Sequence, residues 1–200
     1  MKKAVDIVLL PPDKIINLAI GLSRRAYEQG ESEVMLNNID RMPHITLLQG
    51  CLSEESQGDV VARMQNLSQT FSPLAVEIIK HGQDGLTIRR TGEIVRLHNS
   101  IMDQISAVIN EFCDYDSMLE SKEHAFDWAK TIEGYYFNTY IAQSSRDNFH
   151  PHITTFNSEE ENDVDLPITF TADRLALCHM GDHGTCRKIL FETKLSAKSS

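Results

Sequence analysis

Pro43, His44, Ile45 and Thr46 recur in the second half of the chain as Pro151, His152, Ile153 and Thr154. An imidazole and a hydroxyl two residues apart work as a pair only if the backbone is extended, because alternate side chains of a strand point to the same face. Both copies have strand composition, with β-branched and apolar residues behind a proline, which belongs at a strand's start. His44 and Thr46 then share one face and Ile45 takes the other; His152, Thr154 and Ile153 divide in the same way. Two imidazoles and two hydroxyls facing each other near a pseudo-twofold axis suit a phosphate. A histidine with its ordinary pKa of about 6.5 can act neutral as a proton acceptor or charged as a donor. A hydroxyl can hold a non-bridging oxygen and keep the phosphorus in line. Each such proton transfer is typically worth about 10²–10⁴ in rate, and no metal is required for it.

The elements that must deliver these strands follow in chain order. Ala4 to Leu10 reads as a strand carrying one acid, Asp6, and stops at Pro11 and Pro12. Asp13 is placed to cap a helix on which Ile15, Leu18, Ala19, Leu22 and Ala26 recur at helical spacing until Gly30. A polar loop over 31–41 leads to the first motif strand, 43–52. Ser53 is placed to cap the next helix, with Glu54 and Glu55 in its first turn and Val60, Val61, Met64 and Leu67 inward. Strands at 74–80 and 86–90 flank a glycine-bounded turn, and a long helix from Gly92 carries Ile94, Leu97, Ile101, Ile105, Val108 and Phe112. The acidic stretch 113–132, with Phe126, Trp128 and Ile132, reads as a solvated helical excursion between lobes, 134–142 as an aromatic strand, and 144–148 as the turn into the second motif strand. An acidic loop over 159–163 precedes a hairpin of strands 168–180 and 186–195 closed by Gly181 to Gly184.

Repeated motifs in similar surroundings are the mark of an internal duplication. The expected fold class is α+β, two β-α-β lobes related by pseudo-twofold duplication and facing each other across a central cleft. One bilobal domain spans 1–200, with lobe 1 at about 1–91 and lobe 2 at about 92–195.

Composition limits the partners. With 41% hydrophobic and 24% charged residues the chain is that of a globular protein. A formal charge of -10 opposes a long polyanion, so a long duplex nucleic acid is excluded as partner while a local phosphate site is not. The N-terminal apolar run is broken by Asp6 and no run approaches the length of a membrane span, so a soluble, cytoplasmic protein without membrane association is expected. Cys51, Cys113, Cys178 and Cys186 lack CxxC spacing and are expected as reduced, buried thiols, although Cys178 and Cys186 could face each other across a hairpin. With His179 and His183 they spell Cys-His-x3-His-x2-Cys, a spacing unlike that of the common structural zinc modules, and no metal or other cofactor is assigned.

The paired motifs His44-Ile45-Thr46-Leu47 and His152-Ile153-Thr154-Thr155 resemble the His-x-Thr/Ser-x signature of the two-histidine (2H) phosphoesterase superfamily, which includes 2′-5′ RNA ligase-like proteins and cyclic nucleotide phosphodiesterases. Thr155 takes the place of the usual hydrophobic residue, with Phe156 beside it, and Leu48-Gln49-Gly50 is similar to the run after the family's first histidine. The resemblance implies a metal-independent phosphodiesterase acting on a 2′,3′-cyclic phosphate or a 2′-5′ linkage in a nucleotide or at a short RNA end. His44 and His152 are then the catalytic residues, and Thr46 and Thr154 bind phosphate. A non-catalytic nucleotide-binding module of the same fold, or a scaffold whose acidic loops meet a basic partner, are the alternatives.

Further candidates remain open. His150 would share the face of His152; Arg89, Arg90, Arg174 and Arg187 are candidate phosphate clamps; and Tyr135, Tyr136, Phe137 and Phe149 are candidate base-stacking residues whose default role is core. His98, His124, His179 and His183 read as surface or capping residues.

Overall fold

The structure, a computed structural model, describes residues 2–83, 85–109, 113, 132–156 and 164–197, with only the backbone of 132–137 and 182. Strand β1 (Lys2–Leu10) is buried from Ala4 onward because it lies in the middle of a sheet, antiparallel to β2 (Ile45–Ser53) on one side and to β7 (Arg174–Met180) on the other. Strand β8 (Cys186–Lys194) pairs with β7 and completes the order β2-β1-β7-β8. A second antiparallel sheet has the order β5-β4-β3-β6, from β3 (Leu74–Gly82), β4 (Gly85–Ile88), β5 (His152–Ile153) and β6 (Ile168–Ala172). The two sheets correspond in that each has a motif strand, β2 or β5, at an edge. This is the two-lobed α+β arrangement expected from the duplication.

The linear split at 91/92 does not coincide with the sheets. β7 and β8 close on the free side of β1, and β5 and β6 close on β4 and β3, so each sheet takes strands from both halves of the chain. The stretch 168–180 is accordingly two strands, with Asp173 between β6 in one sheet and β7 in the other.

Helix α1 (Asp13–Glu28) buries Ile15, Ala19, Leu22, Ser23 and Ala26. Its N-cap is Pro12 and Asp13 is its first residue, so Asp13 favours the helix through its charge in the first turn and not as the cap. Helix α2 (Gln57–Ser68) begins four residues after Ser53, which ends β2; the Ser53 hydroxyl accepts the Ser56 N–H in the intervening turn, and Glu54 and Glu55 lie in that turn. Helix α3 (Gly92–Ile105) is capped by the Thr91 hydroxyl, which accepts the Ile94 N–H, and it buries Ile94, Leu97, Ile101 and Ile105 as their spacing required.

Residues 134–142 belong to helix α4 (Ile132–Gln143), not to a strand. Their aromatic and β-branched composition favours a strand locally, but the apolar residues of so short a run form no stripe to decide the matter, and packing against β2 decides it as a helix. Phe112, the rest of the excursion at 114–131, His124 and the acidic loop at 159–163 fall outside the described residues.

One core cluster joins Val5, Ile7 and Leu9 of β1 to α1, α2, α3 and the second sheet. The alternate residues of β1 face the other way, where Ala4, Val8 and Leu10 enter two smaller clusters with all four cysteines. Those cysteines are paired, correcting the expectation of free thiols: Cys51 bonds Cys113 and Cys178 bonds Cys186, with Cα atoms 5.4 and 5.8 Å apart. Cys178 and Cys186 meet across the β7–β8 hairpin, whereas Cys113 is brought to β2 from a sequence distance that shows no pattern. Asp6, also on this alternate face, is cross-strand neighbour to Gln49 on β2 and Cys178 on β7.

Candidate active site

A β-bulge between Ile7 and Val8 shapes the first motif strand. It shifts the register from Ile7↔Leu48 to Val8↔Thr46, so that Leu47 and Leu48 are both buried while Thr46 and Gln49 are half-exposed and both reach Asp6. His44 lies just ahead of β2, after a segment held by the Met42 N–H donating to the Cys186 carbonyl at 2.9 Å. The His44 Nδ1–H donates to the Met42 carbonyl at 2.8 Å. The second motif repeats this contact: the His152 Nδ1–H donates to the His150 carbonyl at 2.9 Å, again two residues back. Because a carbonyl can only accept, both rings carry their proton on Nδ1 when neutral, leaving the lone pair on Nε2.

β2 and β5 come from different sheets, yet their Cα atoms approach within 8 Å. The fold thus brings together the strands that carry or adjoin all four expected residues. Thr46 lies on β2 and Thr154 follows β5 immediately, half-buried. Thr155, the polar residue in a normally hydrophobic place, is fully buried.

The two halves are not chemically equal. Asp6 is 0% exposed, and its Oδ2 accepts the Thr46 hydroxyl at 2.8 Å and the Gln49 amide at 3.3 Å, and lies 3.4 Å from His44 Nε2. Burial depresses the basicity of His44, but the Asp6 hydrogen bond and charge, together with the Met42 carbonyl, outweigh it and leave the pKa above the ordinary histidine value. Asp6 appeared in the sequence only as an acid interrupting a strand. Its role depends on strand pairing that joins positions about forty residues apart, which no local pattern discloses.

Several other expectations resolve. The His150 ring is exposed and lies beside that of His152, with centroids 5.8 Å apart. Arg89 pairs with Glu77 and Arg174 makes a two-pronged pair with Glu192, so both are committed to carboxylates. Arg90 donates to the Arg146 carbonyl at 2.9 Å, and Arg187 is half-buried on β8. Tyr135, Tyr136 and Phe137 lie on α4 and not on a strand.

His98 is not a surface residue: it is 0% exposed. Its Nδ1–H donates to the Leu47 carbonyl on β2 at 2.8 Å, its Nε2 accepts the Arg146 N–H at 2.9 Å, and its ring stacks on Phe149 at 3.9 Å. Phe149 is thereby a core residue, and one imidazole ties the first motif strand to the segment entering the second. Burial pushes the pKa of His98 down to about 4, with Arg146 and Arg90 adding to the effect against the Leu47 carbonyl. His179 is buried on β7, and His183 is exposed in the β7–β8 turn, edge-on to Phe156. Among the described residues no group of three or more His, Cys, Asp or Glu is arranged to hold a metal ion, and no helix is long and apolar enough to cross a membrane.

Two antiparallel four-stranded sheets, each with a motif strand at one edge, make up a fold like that of E. coli LigT. Solved structures show the likeness over nearly the whole chain. The apo form of E. coli LigT aligns with a TM-score of 0.54 at 14% identity, covering 98% of this chain and 99% of that one. TT0787 of Thermus thermophilus aligns with a TM-score of 0.55 at 10% identity, covering 98% and 100%. E. coli LigT complexed with 3′-AMP aligns with a TM-score of 0.53 at 13% identity, covering 97% and 98%. At these identities the likeness is one of fold. No protein-family model matches the chain, and no curated protein matches it.

Proposed function

We propose that this chain is a metal-independent phosphodiesterase, with His44 and His152 as its acid-base pair and Thr46 and Thr154 as phosphate-binding residues. The observation that carries the reading is the repeated Nδ1–H···O=C contact two residues back from each motif histidine, on strands that meet from two different sheets. Each motif ring thereby carries its proton on Nδ1 when neutral and keeps Nε2 for proton transfer. Water attacks phosphorus while one Nε2 takes its proton; the bond from phosphorus to the leaving oxygen breaks as the other imidazole protonates that oxygen. The Thr154 hydroxyl and the imidazolium share the developing charge on the non-bridging oxygens, joined by Thr46 once its hydroxyl leaves Asp6.

The substrate class is a 2′,3′-cyclic phosphate or 2′-5′ linkage in a nucleotide or at a short RNA end. Support comes from the fold of LigT, a protein solved with 3′-AMP and with ATP. The net charge of -10 favours small substrates over long duplexes. The cytoplasmic location expected from the sequence stands against two disulfides, which reducing compartments disfavour; thiol trapping in intact cells decides between them.

A second reading, nucleotide binding without turnover, is favoured by one observation. Thr46 gives its single proton to Asp6, so it has none for a phosphate oxygen unless that bond is released. The test is a panel of 2′,3′-cyclic mononucleotides and 2′-5′ dinucleotides with excess chelator. Turnover of either class supports the phosphodiesterase and names the linkage, whereas binding with no turnover across the panel supports the second reading.

A further inference from the structure

A carboxylate taken out of water is costly unless it is paired and hydrogen-bonded. Asp6 lies at the centre of β1, between β2 and β7, and is fully buried. Among the described residues its hydrogen-bonding and ionic partners gather on one oxygen: Thr46, Gln49 and His44 all meet Oδ2, while Oδ1 is buried with no hydrogen-bond partner. Thr46 and Gln49 are neutral donors. His44 is the group of this set able to bring a positive charge.

Seen from the imidazole, both ring nitrogens face acceptors. Nδ1 meets the Met42 carbonyl at 2.8 Å and Nε2 meets the Asp6 carboxylate at 3.4 Å. A neutral imidazole has one N–H and can serve one of them; an imidazolium serves both. The ring is 11% exposed, so water competes weakly for either nitrogen. Of the other titratable groups, Tyr140 on α4 is kept protonated by burial and by the Asp6 charge and Cys178 on β7 is in a disulfide, while His152 on β5 lies across the seam and, as a neutral proton acceptor, adds no charge against a His44 imidazolium.

The geometry points to Asp6 as a positioning residue that holds His44 as the doubly protonated proton donor of the site and leaves the accepting role to His152. This deepens the phosphodiesterase reading and rests on it for the two roles. The raised pKa of His44 agrees with the arrangement. In the reaction, the proton of the attacking water goes to Nε2 of His152, the bond from phosphorus to the leaving oxygen breaks, and the Nε2 proton of His44 goes to that oxygen. The water hydroxyl stays on phosphorus, and a second proton exchange with solvent restores both rings. Asp6 lies 3.4 Å from the Nε2 that gives up the proton, so it releases that N–H as the leaving oxygen takes its place, and no contact with substrate is assigned to it.

The experiment is NMR titration of the histidine rings in the intact chain and in Asp6→Asn, with His44→Ala and His152→Ala supplying the assignments, alongside pH-rate profiles of 2′,3′-cyclic nucleotide hydrolysis. In the unmodified protein His44 is expected to be more than half imidazolium at pH 6.5, with both ring nitrogens protonated. Asp6→Asn is expected to move the His44 titration to lower pH and leave that of His152 in place. It should also lower kcat at pH 8 by about tenfold with KM within about threefold, since the acid is then less often protonated. An unchanged His44 titration in Asp6→Asn, or a rise in kcat, overturns the proposal; the latter would mean that the carboxylate merely opposes the substrate's charge. If Asp6→Asn does not fold, the unmodified protein still decides, because a mostly neutral His44 ring at pH 6.5 overturns the proposal. If no phosphodiester is turned over at all, the functional reading fails alone and the ring titrations still judge Asp6.

Discussion

A buried imidazole that donates one backbone hydrogen bond and accepts another has no place for a second proton, and His98 is held that way between Leu47 and Arg146. Its native pKa of about 4 lies below the unfolded value of about 6.5, so between those values the unfolded chain binds more protons. Stability from this group is complete above pH 6.5 and is lost as the pH falls toward 4, to a total on the order of 3 kcal/mol. His44 has the opposite sign. Its native pKa is raised, so its contribution is complete below about pH 6.5 and is lost as the pH rises through the native value. Urea unfolding across pH 4 to 9 checks both: His98→Leu should flatten the acid side and His44→Ala the alkaline side. His98→Leu should also cost about 2–4 kcal/mol near neutral pH, since it leaves the Leu47 carbonyl and the Arg146 N–H without the ring. An unchanged midpoint in that variant would remove His98 as the tie between the motif segments.

At the scale of elements, the placement of His152 depends on how closely β4 approaches the two-residue strand β5. Gly85, at φ +92, presses its backbone against that strand; a Cβ there would collide with the Ile153 carbonyl and come within 2.7 Å of the Thr155 nitrogen. Gly85→Ala is expected to cost at least about 1–3 kcal/mol in backbone strain and to shift β5, lowering kcat by on the order of 10²-fold. Gly58→Ala in α2, where nothing lies within 4 Å, is the control and should be neutral or slightly stabilising. The disulfides are tested by counting thiols in the unreduced protein under denaturant. None of the four cysteines should react, and on loop-closure grounds cleaving Cys51–Cys113, separated by 62 residues, should cost about 4 kcal/mol. Four reactive thiols would contradict the pairing.

These elements also show what the sequence discloses. The two motif strands were legible because strand composition behind a proline is a local signal, and α1 and α3 because a single apolar stripe marks a helix packed on one side. Helix α4 was not, because its run is apolar without a stripe, and neither was the crossing at Asp173, because a chain passing between two sheets remains extended on both sides. Asp6 and His98 were missed for a related reason. Each is defined by partners that β-pairing or helix packing brings from distant positions, and His98 looks in sequence like any polar residue on a helix.

For the molecule as a whole, each sheet has a motif strand at an edge and the two strands meet across a seam, while the charge of -10 leaves no general attraction for polyanions. Binding is therefore expected to favour mononucleotides and short oligonucleotides, and a tight duplex complex with steep salt dependence would contradict that. The proposed function requires His44, just ahead of β2, and His152, on β5, to act on one phosphate. It is tested most directly by hydrolysis of a 2′,3′-cyclic mononucleotide in excess chelator by the unmodified chain, His44→Ala and His152→Ala. The expected result is turnover that survives chelation and falls by at least about 10²-fold in each variant; full activity in either variant would contradict it.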